Sequence, residues 1–347
     1  MVELMIAMAV FLVVCGAAIS LVNKHTPLFN QQQNQAGLNV SLRNAVAQMQ
    51  IDVVNAGSGF SIPGITPKMI PIGVMIKNTA GGACYDAATF SYTAGCFDEL
   101  HIISAAPGVP VGSPISATSC VSTSSSTLNV VPAATLGSTP TQAQLDALSN
   151  PFQNGDQILV LATDGTNVTQ TALVGLTDGG DDKNGKWVNL QHNPQGTVEA
   201  NSLLQVGTRA GNPNNQLNGK YCAPNSFVFK LGPEIVYGVD TTDPTNPVLY
   251  KQVGGGAKVA IAEQIIGFKV GAMAWNSPTD IYSFNAPAAP PTGYNQDWGV
   301  IRSVMISLIG RTQPEPGNNF RNQFDGGPYR IQPMTVVINP RNLSMHD

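Results

Sequence analysis

From Leu4 to Val22 this chain carries no charged side chain and a single polar one, Ser20. Wound as an α-helix at about 1.5 Å per residue, the run covers roughly 28 Å, close to the hydrocarbon thickness of a bilayer. Glu3 stands alone at its head. A carboxylate at the edge of a bilayer span is costly, so it needs a partner or a reason to be there. Two ordinary readings compete. A secretory signal peptide begins with a basic region and ends in a small-residue cleavage site, whereas here the first charge is acidic and the apolar run exceeds a signal core. A plain membrane anchor fits the length and leaves Glu3 unexplained.

The order V-E-L-M-I-A-M-A-V-F-L-V-V, from Val2 to Val14, resembles the start of mature type IV pilins and type II secretion pseudopilins. Those proteins begin F-[ST]-L-V-E-L once a short basic leader ending in Gly is removed. The lone acid makes the resemblance specific, because no constraint on a soluble protein favours it. Met1 falls where the family usually has Leu, and the leader, its Gly and the first two mature residues do not precede it. The expectation is therefore a start upstream of Met1, or a trimmed chain. The family's helix-kinking Pro would fall near Ser20 and is absent there. Pro27 comes later and is expected to bend or interrupt the helix.

Only 11% of the 347 residues are charged and the formal net charge is -4. Nucleic-acid binding through phosphate neutralisation needs a concentrated basic surface, so no nucleic-acid partner is expected. Abundant Gly and Pro, with Ser, Thr and Asn between short apolar runs, suit a loop-rich β domain. Cys15 lies inside the apolar run. Cys84, Cys96, Cys120 and Cys222 lie downstream of it, an even count that fits two disulfides in an oxidising compartment. No C-x-x-C spacing suggests zinc or a thioredoxin-type motif.

Beyond the anchor, Leu38, Leu42, Ala45, Val46, Met49 and Val53 recur at three- and four-residue steps. This is the period of an amphipathic helix that packs one face on a globular domain. Asn55-Ala56-Gly57 then supplies residues that tolerate a left-handed turn. The Gln31–Gln35 run between the two patterns is polar on every face, and either a continued helix or a looser joint fits it. The chain thus divides into an apolar helix over 1–24, an amphipathic helix over 25–57 and a β-rich head over 58–347.

In the head, Met69–Ile76, Glu99–Ser104 and Gln157–Ala162 read as short strands bounded by Gly, Pro and Asp. Residues 113–141 are Ser/Thr-rich and nearly uncharged, which reads as an exposed insertion or linker. A short helix is expected next, with Pro140 in its first turn and Leu145 and Leu148 on one side. Ser226–Val239 gives two strands, or one bent at Gly232-Pro233. Asp240–Pro247 reads as a hairpin loop, with Val248–Lys251 returning from it. Ile261–Val270 and Arg302–Ile309 are further strands, the latter alternating Val304, Ile306 and Leu308 against Ser303, Met305 and Ser307.

Four stretches of the tail, Tyr250-Lys251, Ala262–Phe268, Val300–Val304 and Asn339–Leu343, resemble PilW-like minor type IV pilins, which are related to the J-type minor pseudopilin. The resemblance implies an α+β fold, with a long N-terminal helix packed on antiparallel sheet. It implies a single-pass protein of the inner membrane with its head in the periplasm. Prepilin peptidase would process it and neighbouring pilins would meet it through their N-terminal helices, after which it resides in a pilus at the cell surface. Glu3 is the residue expected to act in assembly. It would leave the headgroup region for a low-dielectric filament core, where an unpaired charge costs several kcal/mol unless a cation meets it. Lys24 and His25 lie a membrane thickness away, so the remaining cation is an N-terminal amine on an adjacent subunit.

Motifs of catalysis are missing from the sequence: it has no G-x-S-x-G, no H-E-x-x-H and no G-x-x-x-x-G-K-[ST]. His25, His101, His192 and His346 are scattered singly, as packing or exposed histidines are. No enzyme is expected. Asp178, Asp181, Asp182 and Asn184, with three glycines around them, could wrap a hard cation such as calcium. The EF-hand pattern fails on them, since Gly180 would take the first ligand position and Gln191 the place of the bidentate Glu. The alternative is a solvated hairpin turn. Trp187, Trp275 and Trp298 could line a surface-binding site or anchor the core. Three roles fit: a minor pilin that primes or tips a type IV pilus, a pseudopilin of a type II secretion machine, and a pilin-anchored adhesin.

The cysteines give the first prediction. Cys84–Cys96 closes a short loop that stabilises by roughly 3 kcal/mol if unstrained, and Cys120–Cys222 forms the long-range bridge. Peptide mapping without reduction is expected to recover both pairs and a reduced Cys15. Free thiols at the four downstream positions would refute the pairing.

Overall fold

The computed structural model describes residues 2–60, 73–77, 79, 84–115, 120–122, 125–165, 168–193, 215–217, 219–274, 301–314 and 320–344. Its first element, α1 (Val2–Val54), is one unbroken helix of 53 residues, about 80 Å long at 1.5 Å per residue. Pro27 and the Gln31–Gln35 run both lie within it. Pro27 was expected to bend or interrupt the helix and does not interrupt it. A proline inside a helix removes one i to i−4 hydrogen bond. The loss stays local here, and the Thr26 hydroxyl donates to the Val22 carbonyl at 2.8 Å just before it. Gly57 ends the element with φ 71°, its N–H donating to the Ile103 carbonyl at 2.8 Å.

The strands follow in chain order: β1 (Val74–Lys77), β2 (Tyr85–Asp86), β3 (Ser91–Tyr92), β4 (Glu99–Ile102), β5 (Gly112–Pro114) and β6 (Thr127–Pro132). After the helix α2 (Gln142–Ser149) come β7 (Gln157–Thr163), β8 (Val168–Gly175), β9 (Asp181–Lys183), β10 (Trp187–Gln191) and β11 (Ser226–Lys230). The chain continues through β12 (Ile235–Asp240), β13 (Val248–Val253), β14 (Val259–Ala262), β15 (Ile265–Ala274), β16 (Ile301–Arg311), β17 (Ile331–Ile338) and the last turn α3 (Arg341–Ser344). They form a five-stranded sheet β1-β4-β12-β13-β14, a seven-stranded sheet β8-β7-β11-β5-β6-β10-β9, a three-stranded sheet β15-β16-β17 and the hairpin β2-β3. Among the described residues every ladder between these strands is antiparallel. The fold is α+β, a long N-terminal helix on antiparallel sheet.

Two apolar cores result. The first gathers the α1 stripe Leu38, Leu42, Ala45, Val46, Met49 and Val53 with Leu100, Ile102, Phe268, Val270, Val304, Ile306 and Leu308 from the five- and three-stranded sheets. One face of the seven-stranded sheet joins it through Leu159, Leu161, Leu173, Phe227 and Phe229. The other face, carrying Ile158, Val160, Ala172, Val174 and Val228, packs under α2. The two-residue period of a strand explains the division, since neighbouring side chains point to opposite faces. Such near-continuous apolar runs mark strands covered on both sides.

Several elements depart from the sequence reading. Within residues 113–141, two described segments are sheet and not an exposed insertion: β5 and β6 are built into the seven-stranded sheet, and β6 alternates so that Leu128 and Val130 are buried. Low charge in those strands reflects burial. α2 starts at Gln142, with Thr141 as its cap and a reciprocal bond from Gln144, so Pro140 precedes the helix instead of opening it. Ile261–Val270 is broken at Glu263-Gln264, where Gln264 takes φ 57° between β14 and β15. Ser226–Val239 gives the two strands of the first alternative, and they lie in different sheets. Residues 69–72 of the expected strand Met69–Ile76 lie outside the described residues.

Leu42 is fully buried on α1, whereas Ile51 on the opposite side is 65% exposed. Leu42→Ala should lower the unfolding free energy by about 2–5 kcal/mol. Ile51→Ala should stay within about 0.5 kcal/mol, as surface substitutions usually do. Chemical denaturation of the detergent-solubilised chain reads both. Equal effects would contradict the packing described.

Candidate assembly interface

The distal part of α1 is fastened to the head by packing and by a few placed polar contacts. Near its end, Asp52 accepts from the Tyr237 hydroxyl and from Lys251 Nζ, both at 2.5 Å, and Lys251 also stands 5.8 Å from the Tyr237 ring centre. Burial, then the hydrogen bond to Asp52, pushes the Tyr237 hydroxyl above its ordinary pKa. Asn342 Nδ2 donates to the Ala56 carbonyl at 3.2 Å. Lower down, Gly310 of β16 lets the helix lie close: a Cβ there would stand 2.7 Å from Leu38 and 3.3 Å from Leu42. Lower still, Arg330 donates to Gln31 Oε1 at 3.2 Å.

The first half of α1 has no such cover. Every large apolar side chain from Val2 to Val22 is at least 58% exposed, and Leu28 and Phe29 are more than half exposed. Each such side chain gains about 1.5–3 kcal/mol when fully removed from water. Summed over the run, this is a driving force of tens of kcal/mol toward lipid or toward other helices. The segment is long and apolar enough to cross a membrane. Glu3 lies exposed in its first turn, Cys15 is a free thiol, and Lys24 and His25 are exposed where the apolar run ends.

The other residues singled out by the sequence fall into separate places. Cys84 is bonded to Cys96 beside the β2–β3 hairpin, with Cα atoms 5.1 Å apart. Cys120 is bonded to Cys222 with Cα atoms 4.5 Å apart, next to the bridge between Val121 and Tyr221. Asp178, Asp181, Asp182 and Asn184 are not drawn around one point. Asp178 accepts from the Gly179 N–H at 2.8 Å, Asp181 pairs with Lys183, and Asp182 accepts from Gln142 Nε2 at 2.5 Å. Asn184 and Gly185, at φ 58° and 66°, turn the β9–β10 hairpin. Among the described residues, no group of three or more His, Cys, Asp or Glu is placed to hold a metal ion. Trp187 lies in β10, whereas Trp275, Trp298 and His346 lie outside the described residues.

Two polar clusters escaped the sequence reading. His101 was read as one of four scattered histidines. It is 5% exposed, its Nδ1 is 2.5 Å from Glu234 and its Nε2 is 3.5 Å from Glu99. Glu99 also pairs with Lys77 at 3.2 Å. Burial by itself pulls the imidazole pKa down, but hydrogen bonds and charge from Glu234 and Glu99 outweigh it and hold the pKa up at about 9. The signal was present: Glu99 and His101 are two apart on β4 and so share a face. In the second cluster, buried Arg311 donates to Gln264 Oε1 at 2.6 Å and to the Phe90 carbonyl at 2.9 Å, and also to the Thr245 carbonyl. Its guanidinium lies 4.7 Å from the Tyr329 ring centre. Phe90 and Gln264 both have positive φ, 51° and 57°. Non-glycine residues keep that conformation where surrounding contacts over-determine it, and Arg311 supplies such contacts to both.

No protein-family model matches the chain, and no curated protein does. Among solved structures, a type IV-like pilin from Thermus thermophilus matches at 10% identity with a TM-score of 0.18. The match spans 56% of this chain and 92% of that one. Likeness of that degree carries no argument about fold or role; the architecture above rests on the helix and ladders of this chain alone.

The His101 cluster makes stability depend on pH. The imidazole pKa is raised on folding, from 6.5 to about 9. Its contribution is therefore complete below pH 6.5 and disappears as pH rises through about 9. Glu99 is shifted the other way, down to about 2, with its hydrogen bond to His101 the largest cause. That contribution is present above pH 4.5 and fades as pH falls toward 2. Denaturation midpoints should therefore fall between pH 6.5 and 9, by on the order of 3 kcal/mol in stability. His101→Gln should flatten that limb. A flat wild-type profile over the range would disprove the ion pairing.

Proposed function

We propose that this chain is a structural subunit of a type IV pilus, a minor pilin acting in assembly or priming at or near the tip. It is not an enzyme in this reading. The observation that carries the proposal is the division of α1. One half is fixed in the head by the Leu38–Val53 stripe, and the other stands clear as an exposed apolar rod with a single carboxylate at its head. A rod of this kind fits two surroundings in turn, the inner membrane before assembly and a bundle of equivalent helices afterwards. The head on its far end would face the periplasm and later the filament surface. Its two disulfides suit that side of the membrane.

Glu3 supplies register in this account. Inside a bundle of apolar helices its charge needs a cation, and the rod offers none along its length. The N-terminal amine of an adjacent subunit, freed by prepilin peptidase, is the cation we assign to it. Pairing one start with another's Glu3 then sets the axial offset between subunits. Glu3→Ala and Glu3→Gln should both be expressed, membrane-inserted and folded, and both should be missing from sheared filaments on immunoblot. Entry of either variant into filaments at the normal level would overturn the role.

A further inference from the structure

The three-stranded sheet fixes which pole of the head faces the exposed rod. β16 runs down beside the helix until Gly310 meets Leu38. The chain then passes through residues 320–330, where Arg330 reaches Gln31. β17 climbs back, and Asn342 meets Ala56 at the far end of α1. The 320–330 loop therefore sits at the pole nearest the rod. Gln31 is two residues beyond exposed Phe29, about 3 Å along the axis, and nine beyond Val22, about 14 Å.

This loop is cross-linked by hydrogen bonds, yet it turns aromatic side chains outward. Buried Asn322 accepts from the N–H groups of Phe324 and Asp325 at 2.9 and 3.0 Å and donates to the Gly327 carbonyl at 3.0 Å. The loop's one acid, Asp325, is turned inward: its carboxylate accepts from the Tyr92 and Tyr329 hydroxyls and from the Gly327 N–H. The exposed side chains include Phe324, 53% exposed, and Phe320, 37% exposed, with Arg321 and Gln323 exposed beside them. Arg330 stands 5.2 Å from the Phe320 ring centre. Disorder cannot account for an apolar side chain in water on a loop pinned in this way.

We propose that the 320–330 loop is a membrane-surface anchor. Phe320 and Phe324 enter the headgroup layer around the rod, and Arg321 and Arg330 meet lipid phosphates. The proposal rests on the reading of α1 as a membrane span. Once Leu4–Val22 fill the hydrocarbon, Leu28 and Phe29 stand about 9–11 Å beyond its edge and the Gln31–Arg330 contact about 14 Å beyond it, outside a headgroup layer about 5–8 Å thick. A helix tilt near the usual ~20° lowers one side of the head toward that layer. Aromatic and apolar side chains with Arg on the rim match the pattern of interfacial binding. The occupant is therefore a phospholipid surface, which α1 itself brings within reach.

Spin labelling of the full-length chain tests this. In a Cys15→Ser background the label is placed on Gln323→Cys, which leaves both Phe residues in place, on Val13→Cys in the rod, and on Asn55→Cys at the far pole. Each protein is reconstituted at high lipid excess in phosphatidylethanolamine–phosphatidylglycerol vesicles. Collision with oxygen is then compared with collision with a water-soluble nickel chelate. The expected oxygen-to-nickel ratio at 323 is several-fold above that at 55 and below that at 13. Adding Phe320→Ser and Phe324→Ser should return the 323 ratio to the value at 55. A 323 ratio equal to that at 55, with 13 in lipid, overturns the anchor and leaves the span standing. A label at 13 that meets nickel freely overturns both. Shielding at 323 from both reagents would mean that protein covers the loop, which also overturns the anchor.

Discussion

Withdrawal of the Leu38–Val53 stripe from water is the event on which the rest of this molecule depends. Leu42, Ala45, Met49 and Val53 are fully buried, and they touch a core supplied by three different sheets. The five- and three-stranded sheets, which lie against the helix, depend on it to bury their inner faces. A helix of this length gains little from its own hydrogen bonds and is held chiefly by what its apolar side covers. Because the cover ends below Leu38, the remaining rod keeps its helix and leaves its surface for another partner. The same backbone element thus packs into the head over one half and leaves an apolar surface bare over the other.

Polar contacts then choose one arrangement among those that packing allows. Asp52 meets both Tyr237 and Lys251, so the helix is fixed in rotation as well as in depth. Asp98 is fully buried and accepts from Thr79, Lys269 and the Val270 N–H, joining the segments just after β1 and just before β4 to β15. Arg311 ties together segments more than two hundred positions apart in the chain. Buried charges of this sort contribute less to stability than to uniqueness, since desolvation offsets much of their attraction. Losing one partner would strand the other in the interior.

Legibility in the sequence follows the range of the physics. The stripe from Leu38 to Val53 could be read residue by residue, because helix period and burial are local. Val304, Ile306 and Leu308 declared their face of β16 for the same reason, and the lone Glu3 at the head of the rod was plain. Low charge around residues 113–141 misled, since a strand inside a sheet and a solvated linker can share a Ser/Thr-rich composition. The alternation of Leu128 and Val130 was the sign that should have prevailed. Pro27 was read by its local cost, which a long helix absorbs. The sheet order, the two faces of β7 and the Arg311 cluster depend on contacts between distant segments. His101 lies between these cases: Glu99 was visible as its neighbour on one face, while Glu234 arrives from another strand.

The three-stranded sheet lies along α1, meeting it at Leu38 through Gly310 and, beyond β17, at Ala56 through Asn342. Tension drawn along the helix is therefore parallel to the β16–β17 ladder, which runs in register from Val304–Ile338 to Arg311–Ile331. A ladder pulled along its strands must break its bonds together in shear, whereas one pulled across them opens a bond at a time. A head tugged from outside while its helix is held would resist peeling, because these two strands would have to slide past each other over their whole shared length. The fold thereby carries load along the direction in which its helix points.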